Sequence, residues 1–284
     1  MNIKIIDNIS EKLLDILTFH LQQTKEAKLA VAFAKASGIK LISSALISSL
    51  NKGGHVEFLL GLDFRLTEPN VLEFLLSLKK QGKNVAIYCY RDISEEGTAV
   101  YHPKVYFFKG NNQSLISIGS SNLTAGGLRD NLEINTVIEA KNSEEIVSHA
   151  QEIYNNLKYL QSRFEPDEEY ISEYSRIYEM TKKKTKNILK DKSIQEKLQE
   201  LKEKERALPS PVVTPEDLSG WQKLVYQKLP QNEFRTSDLY TFKNEFQSAY
   251  PENKHVEAKI RQVLQQLRDL GLLEDLGRGI WKKI

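Results

Sequence analysis

Short apolar runs alternate with periodic, helix-like segments along the first third of the chain. Residues 29–33, 55–61 and 85–90 are compact apolar runs, which is typical of strands that are buried on both faces of a sheet. Between them, residues 37–50 and 69–78 repeat apolar positions at helical spacing, which predicts amphipathic helices. This β-α-β alternation predicts a mostly parallel sheet with helices on both faces.

Two further apolar runs follow without a helix between them. Residues 101–109 and 113–119 are separated only by a short hairpin-like connection. Strands joined so closely pair antiparallel, so part of the sheet must be antiparallel. The remaining elements predicted here are a helix within residues 10–27 capped by Ser10, a strand at 134–140 and a helix at 143–159. The predicted fold class is therefore α/β, with a mixed sheet flanked by helices.

The composition changes after this domain. Glycine is absent from residues 164–207 and charged residues dominate, which predicts an exposed or partly packed helix as a connector. A stretch with three prolines, LPSPVVTPEDLSG, then separates the last segment. We expect an α/β domain at 1–162, a charged helical connector at 163–214 and a small domain at 215–284.

The last segment has a different arrangement of elements. Its pattern predicts helices at 221–229, 237–250 and 253–270, a brief strand at 234–236, and two strands at 272–276 and 280–284. Three helices followed by a β-hairpin form a winged helix, a relative of the helix-turn-helix that places its third helix in the major groove of DNA.

Polar and small residues line the outer face of that third helix, opposite its apolar face. Side chains on such a face reach base edges and phosphates, and the tip of the hairpin supplies a further contact. The predicted DNA-binding residues are Lys254, His255, Ala258, Arg261, Gln262, Gln265 and Arg278.

The overall composition restricts the class of protein only moderately. The chain has 284 residues, 27% charged residues and a formal net charge of +2, which neither requires nor excludes a nucleic-acid partner. No apolar run approaches the roughly 20 residues that span a bilayer, and the N-terminus lacks the apolar core of a secretory signal. We therefore expect a cytoplasmic protein without a membrane partner. Cys89 is the single cysteine, which excludes an internal disulfide and a cysteine-based metal cluster.

The candidate chemistry lies in residues 101–139. His102 and Lys104 are spaced so that an extended strand places both side chains on one face, where they can grip one phosphate. Ser120 and Asn122 follow at the end of the next strand, and these side chains can orient the non-bridging oxygens. The stretch has no D-x-D or dense acidic cluster for a two-metal mechanism. A neutral imidazole can instead form a covalent phosphohistidine, so we predict catalysis without a metal or cofactor.

The pattern H-x-K followed by G-S-x-N resembles the phospholipase D superfamily of phosphodiesterases. Glu133 stands where the nuclease branch, including its metal-independent restriction enzymes, has a carboxylate, and Glu139 is a weaker alternative. The resemblance implies that Glu133 accepts a hydrogen bond from His102 and fixes the tautomer and orientation of the ring. The longer family motif has Asp where this chain has Lys109, which weakens a lipase-type assignment.

A general acid is missing from a single chain. In the superfamily two H-x-K motifs face each other, and one histidine attacks while the other protonates the leaving oxygen. None of the remaining histidines, His20, His55, His149 and His255, is followed by lysine two residues later. We therefore expect a homodimer with one shared active site.

The C-terminal sequence resembles the terminal winged helix of the Dam-replacing family of methyl-directed restriction endonucleases. The resemblance is carried above all by the segment YPENKHVEAKIRQVLQQLRDLGLLEDLGRGIW. The resemblance implies binding of double-stranded DNA. It leaves open whether base methylation is required or blocks cleavage, and whether a cognate methyltransferase is a partner.

The leading hypothesis is a restriction-type DNA endonuclease with a phospholipase D-like catalytic domain, a helical connector and a winged-helix reader. One alternative is a DNA-binding regulator or defence sensor that keeps a non-cleaving nuclease fold. A second alternative is a hydrolase of phospholipids or other phosphodiesters, which leaves the winged helix without a role.

Overall fold

The computed structural model describes residues 1–62, 65–90, 100–159, 163–188, 195–197, 199–201, 203 and 213–284. The chain divides into two compact units, residues 1–194 and 195–284. The domain boundaries expected from the sequence stay predictions. Much of the expected connector helix after residue 188 lies outside the described residues, so its course is not described further.

A mixed sheet forms the centre of the first unit. Its strands in chain order are β1 (Asn2–Ile6), β2 (Glu26–Val31), β3 (His55–Gly61), β4 (Val85–Tyr90), β5 (Lys104–Lys109), β6 (Gln113–Gly119), β7 (Asn135–Lys141) and β8 (Arg163–Phe164). Their spatial order is β1-β7-β6-β5-β2-β3-β4-β8. The pairs β2–β3 and β3–β4 are parallel, and the other neighbours are antiparallel. The predicted mixed α/β sheet is confirmed.

Helices cover both faces of this sheet. They are α1 (Leu13–Leu21), α2 (Ala36–Asn51), α3 (Pro69–Lys80), α4 (Glu145–Lys158) and α5 (Glu168–Ile188). Apolar residues of α1, α2, α3 and α5 pack into the main core on one face, together with alternate residues of β5, β6 and β7. Helix α4 packs on the opposite face, where Tyr154 and Val147 contact the other set of alternate strand residues. Period-two alternation in the strands therefore supplies two separate apolar layers.

The amino-terminal end of the unit differs from the prediction. Residues 2–6 form an edge strand that the sequence analysis missed, because its side chains are mostly exposed. Helix α1 begins at Leu13, and Ser10 does not cap it. The Asn8 side chain accepts the Leu13 backbone N–H at 2.9 Å, while Ser10 donates to Asp7. The Asn8 side-chain carbonyl thus accepts a backbone N–H that has no partner within the first turn of the helix.

From residue 213 onward, the second unit contains a small three-stranded sheet and three α-helices. The helices are α6 (Gly220–Gln227), α7 (Lys243–Ala249) and α8 (Val256–Asp269), and the strands are β9 (Phe234–Arg235), β10 (Leu273–Gly277) and β11 (Ile280–Lys283). The predicted second helix begins instead as a 3₁₀ helix, Thr236–Phe242. Its cap is Asp238, whose carboxylate accepts the Arg235 backbone N–H at 2.8 Å. The spatial strand order is β10-β11-β9.

The turn between β10 and β11 forms the tip of the wing. Gly277, Arg278 and Gly279 all have positive φ angles, of 84°, 52° and 74°. Two glycines flanking the arginine relieve the steric cost of this left-handed backbone. None of the described helices has the length and apolar character that crossing a membrane requires.

Candidate active site

Three neighbouring strands deliver polar groups to one edge of the large sheet, and a fourth, β2, ends beside them. Register pairs Lys104, the first residue of β5, with Val31, the last residue of β2. On the other side of β5, Val105 pairs with Ile118, so the end of β6 lies beside the start of β5. Strand β7 begins at Asn135, opposite Gly119 of β6. The loops entering β5 and β7 and leaving β6 therefore meet at this edge.

His102 and Lys104 contact each other at this edge. The Lys104 Nζ lies 2.7 Å from Nδ1 and 3.1 Å from Nε2 of His102, and it also donates to the His102 carbonyl at 3.1 Å. An ammonium group can only donate, so a ring nitrogen that accepts from Lys104 does so through its lone pair, and the tautomer of the ring decides which nitrogen this is. A lone pair on imidazole is the property that a nucleophile needs. His102 is exposed, whereas the Lys104 side chain is buried.

The environment of Lys104 changes its acidity. Burial lowers the pKa of the ammonium group, and the nearby negative charge of Glu133 opposes this by raising it. The net effect places the pKa of Lys104 below the usual 10.5 of lysine. Among the described residues, Lys104 and Glu133 do not form an ion pair, so Glu133 acts on the pKa of Lys104 without direct contact.

Ser120 and Glu133 form the second part of the site. The Ser120 hydroxyl donates to the Glu133 carboxylate and accepts the Ile134 backbone N–H at 3.0 Å. Asn131 donates to the other carboxylate oxygen at 3.3 Å. The predicted hydrogen bond between Glu133 and His102 is therefore replaced, within the described chain, by bonds to Ser120 and Asn131. The cause is the pairing of β6 with β7, which brings Ser120 directly beside residues 133 and 134.

Asn122 lies at the same edge, tied to the extension of β2. Its side-chain oxygen accepts the Phe33 backbone N–H at 3.2 Å. Because the oxygen is engaged, the amide nitrogen remains the group that can donate to a substrate oxygen. Glu139, the weaker alternative carboxylate, lies within β7 and approaches His20 at 3.9 Å. It belongs to a different part of the strand from Glu133.

Several residues that support this edge were missed by the sequence analysis. The fully buried Tyr106 hydroxyl donates to the Ser121 carbonyl at 3.0 Å, and the Asn135 side chain donates to the Ser121 hydroxyl at 2.8 Å. A Cβ on Gly119 would lie 2.3 Å from the Ile134 carbonyl oxygen, so this position requires glycine. These groups fix the loop that carries Ser120. Their only signal in the sequence is a polar residue at a strand start or a tyrosine within a strand.

In the second unit, the predicted DNA-binding residues lie on the surface. Gln262 is half-buried, and the others are exposed, on or just before α8 and at the wing tip. The Arg261 guanidinium donates to the Tyr240 hydroxyl at 2.8 Å, a contact that the helix pattern does not reveal. At the start of α8, Lys243 pairs with Glu257 at 2.8 Å and holds the pKa of that carboxyl below its usual range. Lys243, Lys254 and Arg261 line a shallow pocket of about 230 Å³ there.

The described residues contain no cluster of side chains suited to binding a metal ion. Nowhere among them do three or more His, Cys, Asp or Glu side chains come together so that they could hold a metal ion. The polar groups of the candidate site are instead an imidazole, an ammonium, a hydroxyl, an amide and one carboxylate. This donor set suits binding of a phosphodiester anion and attack by nitrogen.

Two family models match the chain. The model described as cardiolipin synthase, PLD-like domain, matches residues 5–158, which is more than half of the chain. The model described as Dam-replacing HTH domain matches residues 220–283. The first match contains every residue of the candidate active site, and the second contains the winged helix.

Solved structures resemble the chain distantly. NucT from Helicobacter pylori is 16% identical, with a TM-score of 0.45, and the match covers 58% of this chain and 99% of that one. Nuc from Salmonella typhimurium, a phospholipase D family member, is 15% identical with a TM-score of 0.44, covering 58% and 97%. The phosphatidylserine synthase of Haemophilus influenzae is 15% identical with a TM-score of 0.49, covering 68% and 47%. Likenesses at this level carry no argument about activity.

Proposed function

The chain belongs to the family of phospholipase D-like domains, and from that premise we propose that it is a restriction-type DNA endonuclease. The Dam-replacing helix-turn-helix domain in the same chain supports DNA as the substrate. The observation that carries the proposal is the 2.7 Å contact between the Lys104 ammonium and the His102 imidazole at the sheet edge. Ser120, Asn122 and Glu133 surround that edge with further polar groups.

The proposed reaction has two displacements. A ring nitrogen of His102 attacks phosphorus, a P–N bond forms, and the P–O bond to the leaving deoxyribose oxygen breaks. Water then attacks the phosphohistidine, so that the P–N bond breaks and a terminal phosphate is released. Splitting the displacement in this way lowers each barrier. Lys104, Ser120 and Asn122 stabilise the charge on the non-bridging oxygens, and no metal ion takes part.

A second histidine is needed to supply a proton to the leaving oxygen. The chain has no second H-x-K sequence, so we assign this role to the partner's His102 in a homodimer with one shared site. That histidine gives its proton in the first step and takes one from water in the second.

The winged helix is the proposed reader of the target. The exposed face of α8 offers Arg261 and Gln265 for base edges, and Arg278 at the wing tip is placed for a phosphate or the minor groove. The Tyr240 hydroxyl fixes the direction of the Arg261 guanidinium. Cleavage responds to base methylation in this proposal, and a methyltransferase that protects or marks the host DNA is the matching partner.

Plasmid and genomic DNA test this function directly. The purified protein is expected to cut methylated or unmethylated genomic DNA at one sequence in excess chelator. Rapid quenching of 5′-labelled or 3′-labelled substrate with alkaline detergent, in which a P–N bond survives, should trap a DNA–protein adduct that His102→Ala cannot form. Strict dependence on magnesium, or cleavage without an adduct on His102, would contradict the mechanism.

Comparison of substrates separates the other functions. Hydrolysis of phospholipid vesicles but not of duplex DNA would identify a lipid hydrolase. Tight binding to one DNA sequence without cleavage of any phosphodiester would identify a regulator or defence sensor. Sequencing the ends of fragments cut from methylated and unmethylated genomes gives the site and the position of cleavage together.

A further inference from the structure

Helix α5 forms a buried contact with the residues that precede α3. The PLD-like family model ends at residue 158, and α5 begins beyond it, at Glu168. Tyr174 of this helix is buried in the main core on the face of the sheet that α5 covers. Its hydroxyl donates to the Thr67 backbone carbonyl at 2.7 Å. A helix that the family model does not include is thus bonded to the matched domain.

Thr67 links this contact to the chain that follows β2. The Thr67 hydroxyl is fully buried, donates to the Gly61 carbonyl at 2.6 Å and accepts the Ala34 backbone N–H at 3.2 Å. The next residue, Glu68, donates its backbone N–H to the Ala34 carbonyl at 2.9 Å. Its carboxylate accepts the Ala36 backbone N–H at 2.8 Å. These bonds fix the segment that joins β2 to α2.

The same segment holds the side chain of Asn122. The Phe33 backbone N–H donates to the Asn122 side-chain oxygen at 3.2 Å, and the Lys35 backbone N–H donates to the Leu123 carbonyl at 3.0 Å. Between these two bonds, Ala34 and Leu123 form a parallel β-bridge. The position of the segment therefore sets the direction of the Asn122 amide, whose N–H groups are those available to a substrate oxygen.

Close packing between these backbones leaves little room for one of them to move alone. A Cβ on Gly38, in the first turn of α2, would lie 2.3 Å from the Leu123 carbonyl oxygen. A Cβ on Gly61, the last residue of β3, would lie 2.3 Å from the Ala32 carbonyl oxygen. Interiors packed this densely transmit a displacement because they compress little. A shift at the α5 contact is therefore expected to reach the site.

We propose that Tyr174 is a positioning residue for the candidate active site, and that it holds the Asn122 amide through Thr67 and the segment that joins β2 to α2. The inference rests on the proposed function, because it requires Asn122 to bind a non-bridging oxygen of the substrate. A preorganised donor stabilises the charge that develops in the transition state more than it stabilises the bound substrate. Loss of the Tyr174 hydroxyl should therefore lower kcat and leave KM unchanged.

Tyr174→Phe tests this link in the full-length protein, because phenylalanine keeps the ring in the core and removes only the hydroxyl. Tyr178→Phe is the matched control. Tyr178 lies one turn further along α5, with its ring centre 6.4 Å from that of Tyr174, and its hydroxyl makes no hydrogen bond to any described residue. Hydrolysis of bis(p-nitrophenyl) phosphate gives kcat and KM without DNA binding. Hydrogen exchange reports the backbone N–H groups of residues 33–35.

Tyr174→Phe is expected to lower kcat about 5-fold at constant KM, as the loss of one hydrogen bond would. Exchange at residues 33–35 should become faster in this variant and stay at the wild-type rate in Tyr178→Phe. In an Asn122→Ala background, Tyr174→Phe should have no further effect on kcat, because the group that it positions is already absent.

Thr67 supplies a second pair of variants for the next step of the link. Thr67→Ser keeps the hydroxyl that bonds Gly61 and Ala34 and should retain the wild-type kcat. Thr67→Val has nearly the same shape without the hydroxyl and should lower kcat at constant KM. Circular dichroism melts verify folding of all variants. Equal values of kcat in the serine and valine variants would contradict transmission through this hydroxyl.

Other outcomes assign failure to one proposal or the other. A lowered melting temperature in Tyr174→Phe with wild-type kcat, or a loss of kcat that is just as large in the Asn122→Ala background, would overturn the positioning role. A protein that hydrolyses the small diester in the expected pattern but cuts no DNA would support the link and contradict the proposed endonuclease. If no phosphodiester is hydrolysed, faster exchange at residues 33–35 in Tyr174→Phe keeps the link alone, and unchanged exchange overturns both proposals.

Discussion

Two histidines in the large sheet stand two residues before a charged side chain, and the two pairs have opposite characters. On β3, His55 Nε2 lies 3.0 Å from the Glu57 carboxylate, which also accepts the Lys158 ammonium at 2.8 Å. At the start of β5, His102 contacts Lys104 instead. The first pair joins an imidazole to a carboxylate and is completed by a third group, the Lys158 ammonium. The second combines two basic groups and therefore suits an added anion.

The surroundings strengthen this difference. Lys158 lies 4.9 Å from the Tyr88 ring centre, and the neighbouring buried Lys28 pairs with Glu26 at 2.8 Å. These cations are neutralised and covered, as is usual for buried charges with a structural role. Within the described chain, Lys104 is a buried cation without a carboxylate at ion-pair distance. A histidine two residues before a charged residue therefore indicates a candidate catalytic site only where a neighbouring positive charge has no carboxylate partner. Such a charge can bind an anionic substrate.

Replacing each histidine by alanine is the strongest test of the comparison. We expect His102→Ala to reduce the rate of DNA cleavage by about 10⁴-fold or more, because the nucleophile is lost. His55→Ala should keep the rate within a few-fold and lower the melting temperature, since Glu57 loses one partner. Single-turnover cleavage and thermal melts of both variants measure this. An inactive but stable His55→Ala protein would reverse the two assignments.

Glu57→Gln tests how much the contacts among His55, Glu57 and Lys158 contribute to the stability of the fold. Burial raises the pKa of Glu57, but the bonds from Lys158 and His55 outweigh it and hold the pKa below the usual 4.5. The carboxylate therefore stabilises the fold above about pH 4.5, and this stability is lost as the pH falls through the lowered pKa. We expect the substitution to cost about 3 kcal/mol at neutral pH, because it leaves the half-buried Lys158 without its counter-charge.

Urea unfolding at neutral and acidic pH checks this prediction. The difference between wild type and Glu57→Gln should shrink as the pH falls, while the turnover number of the folded variant stays unchanged. Equal unfolding midpoints at neutral pH would show that the network contributes little.

The pH dependence of catalysis tests the region around His102 and Lys104. The Lys104 ammonium must be charged to bind a non-bridging oxygen, so kcat/KM should fall on the alkaline side at a pH below 10.5, the ordinary pKa of lysine. Glu133→Gln removes the charge that raises the pKa of Lys104 and should move this alkaline limb to still lower pH. Glu57→Gln should leave it in place. An alkaline limb that Glu133→Gln leaves unmoved would contradict the electrostatic link between Glu133 and Lys104.

The predictable features of the molecule depend on local sequence. His102 and Lys104 lie only two positions apart at the start of β5, so a contact between them depends on local sequence. The buried face of α8 follows from helical periodicity, and the boundaries of β3 and β4 from their apolar runs. These features need no knowledge of distant residues.

The features that were missed depend on distant pairing or on exposed strands. Ser120 binds Glu133 because β6 and β7 align in one register, and no short motif encodes that register. Edge strand β1 is hidden because most of its side chains face solvent. Tyr106 and Asn135 act by holding a loop, so their types carry no catalytic signal. Sequence therefore predicts candidate reacting groups more readily than the groups that position them.

Tyr106→Phe is expected to have the smallest effect of these substitutions. It removes a hydrogen bond that supports the loop carrying Ser120 and leaves the proposed reacting groups in place. Loss of the hydroxyl leaves the Ser121 carbonyl without this bond, which should cost about 1 kcal/mol of stability. Because the loop carrying Ser120 loosens, kcat should fall by a few-fold while KM stays constant.

Tyr90→Phe is the matched control for Tyr106→Phe. Tyr90 is equally buried, but its hydroxyl makes no hydrogen bond to any described residue. Removing it costs no bond, so stability and kcat should stay at the wild-type level or rise slightly. Equal losses in both variants would show that the buried rings, and not the bond to Ser121, hold the loop. A loss confined to Tyr106→Phe would show that activity depends on the hydrogen bond that supports the loop carrying Ser120. The region around Glu57 has no such role in activity.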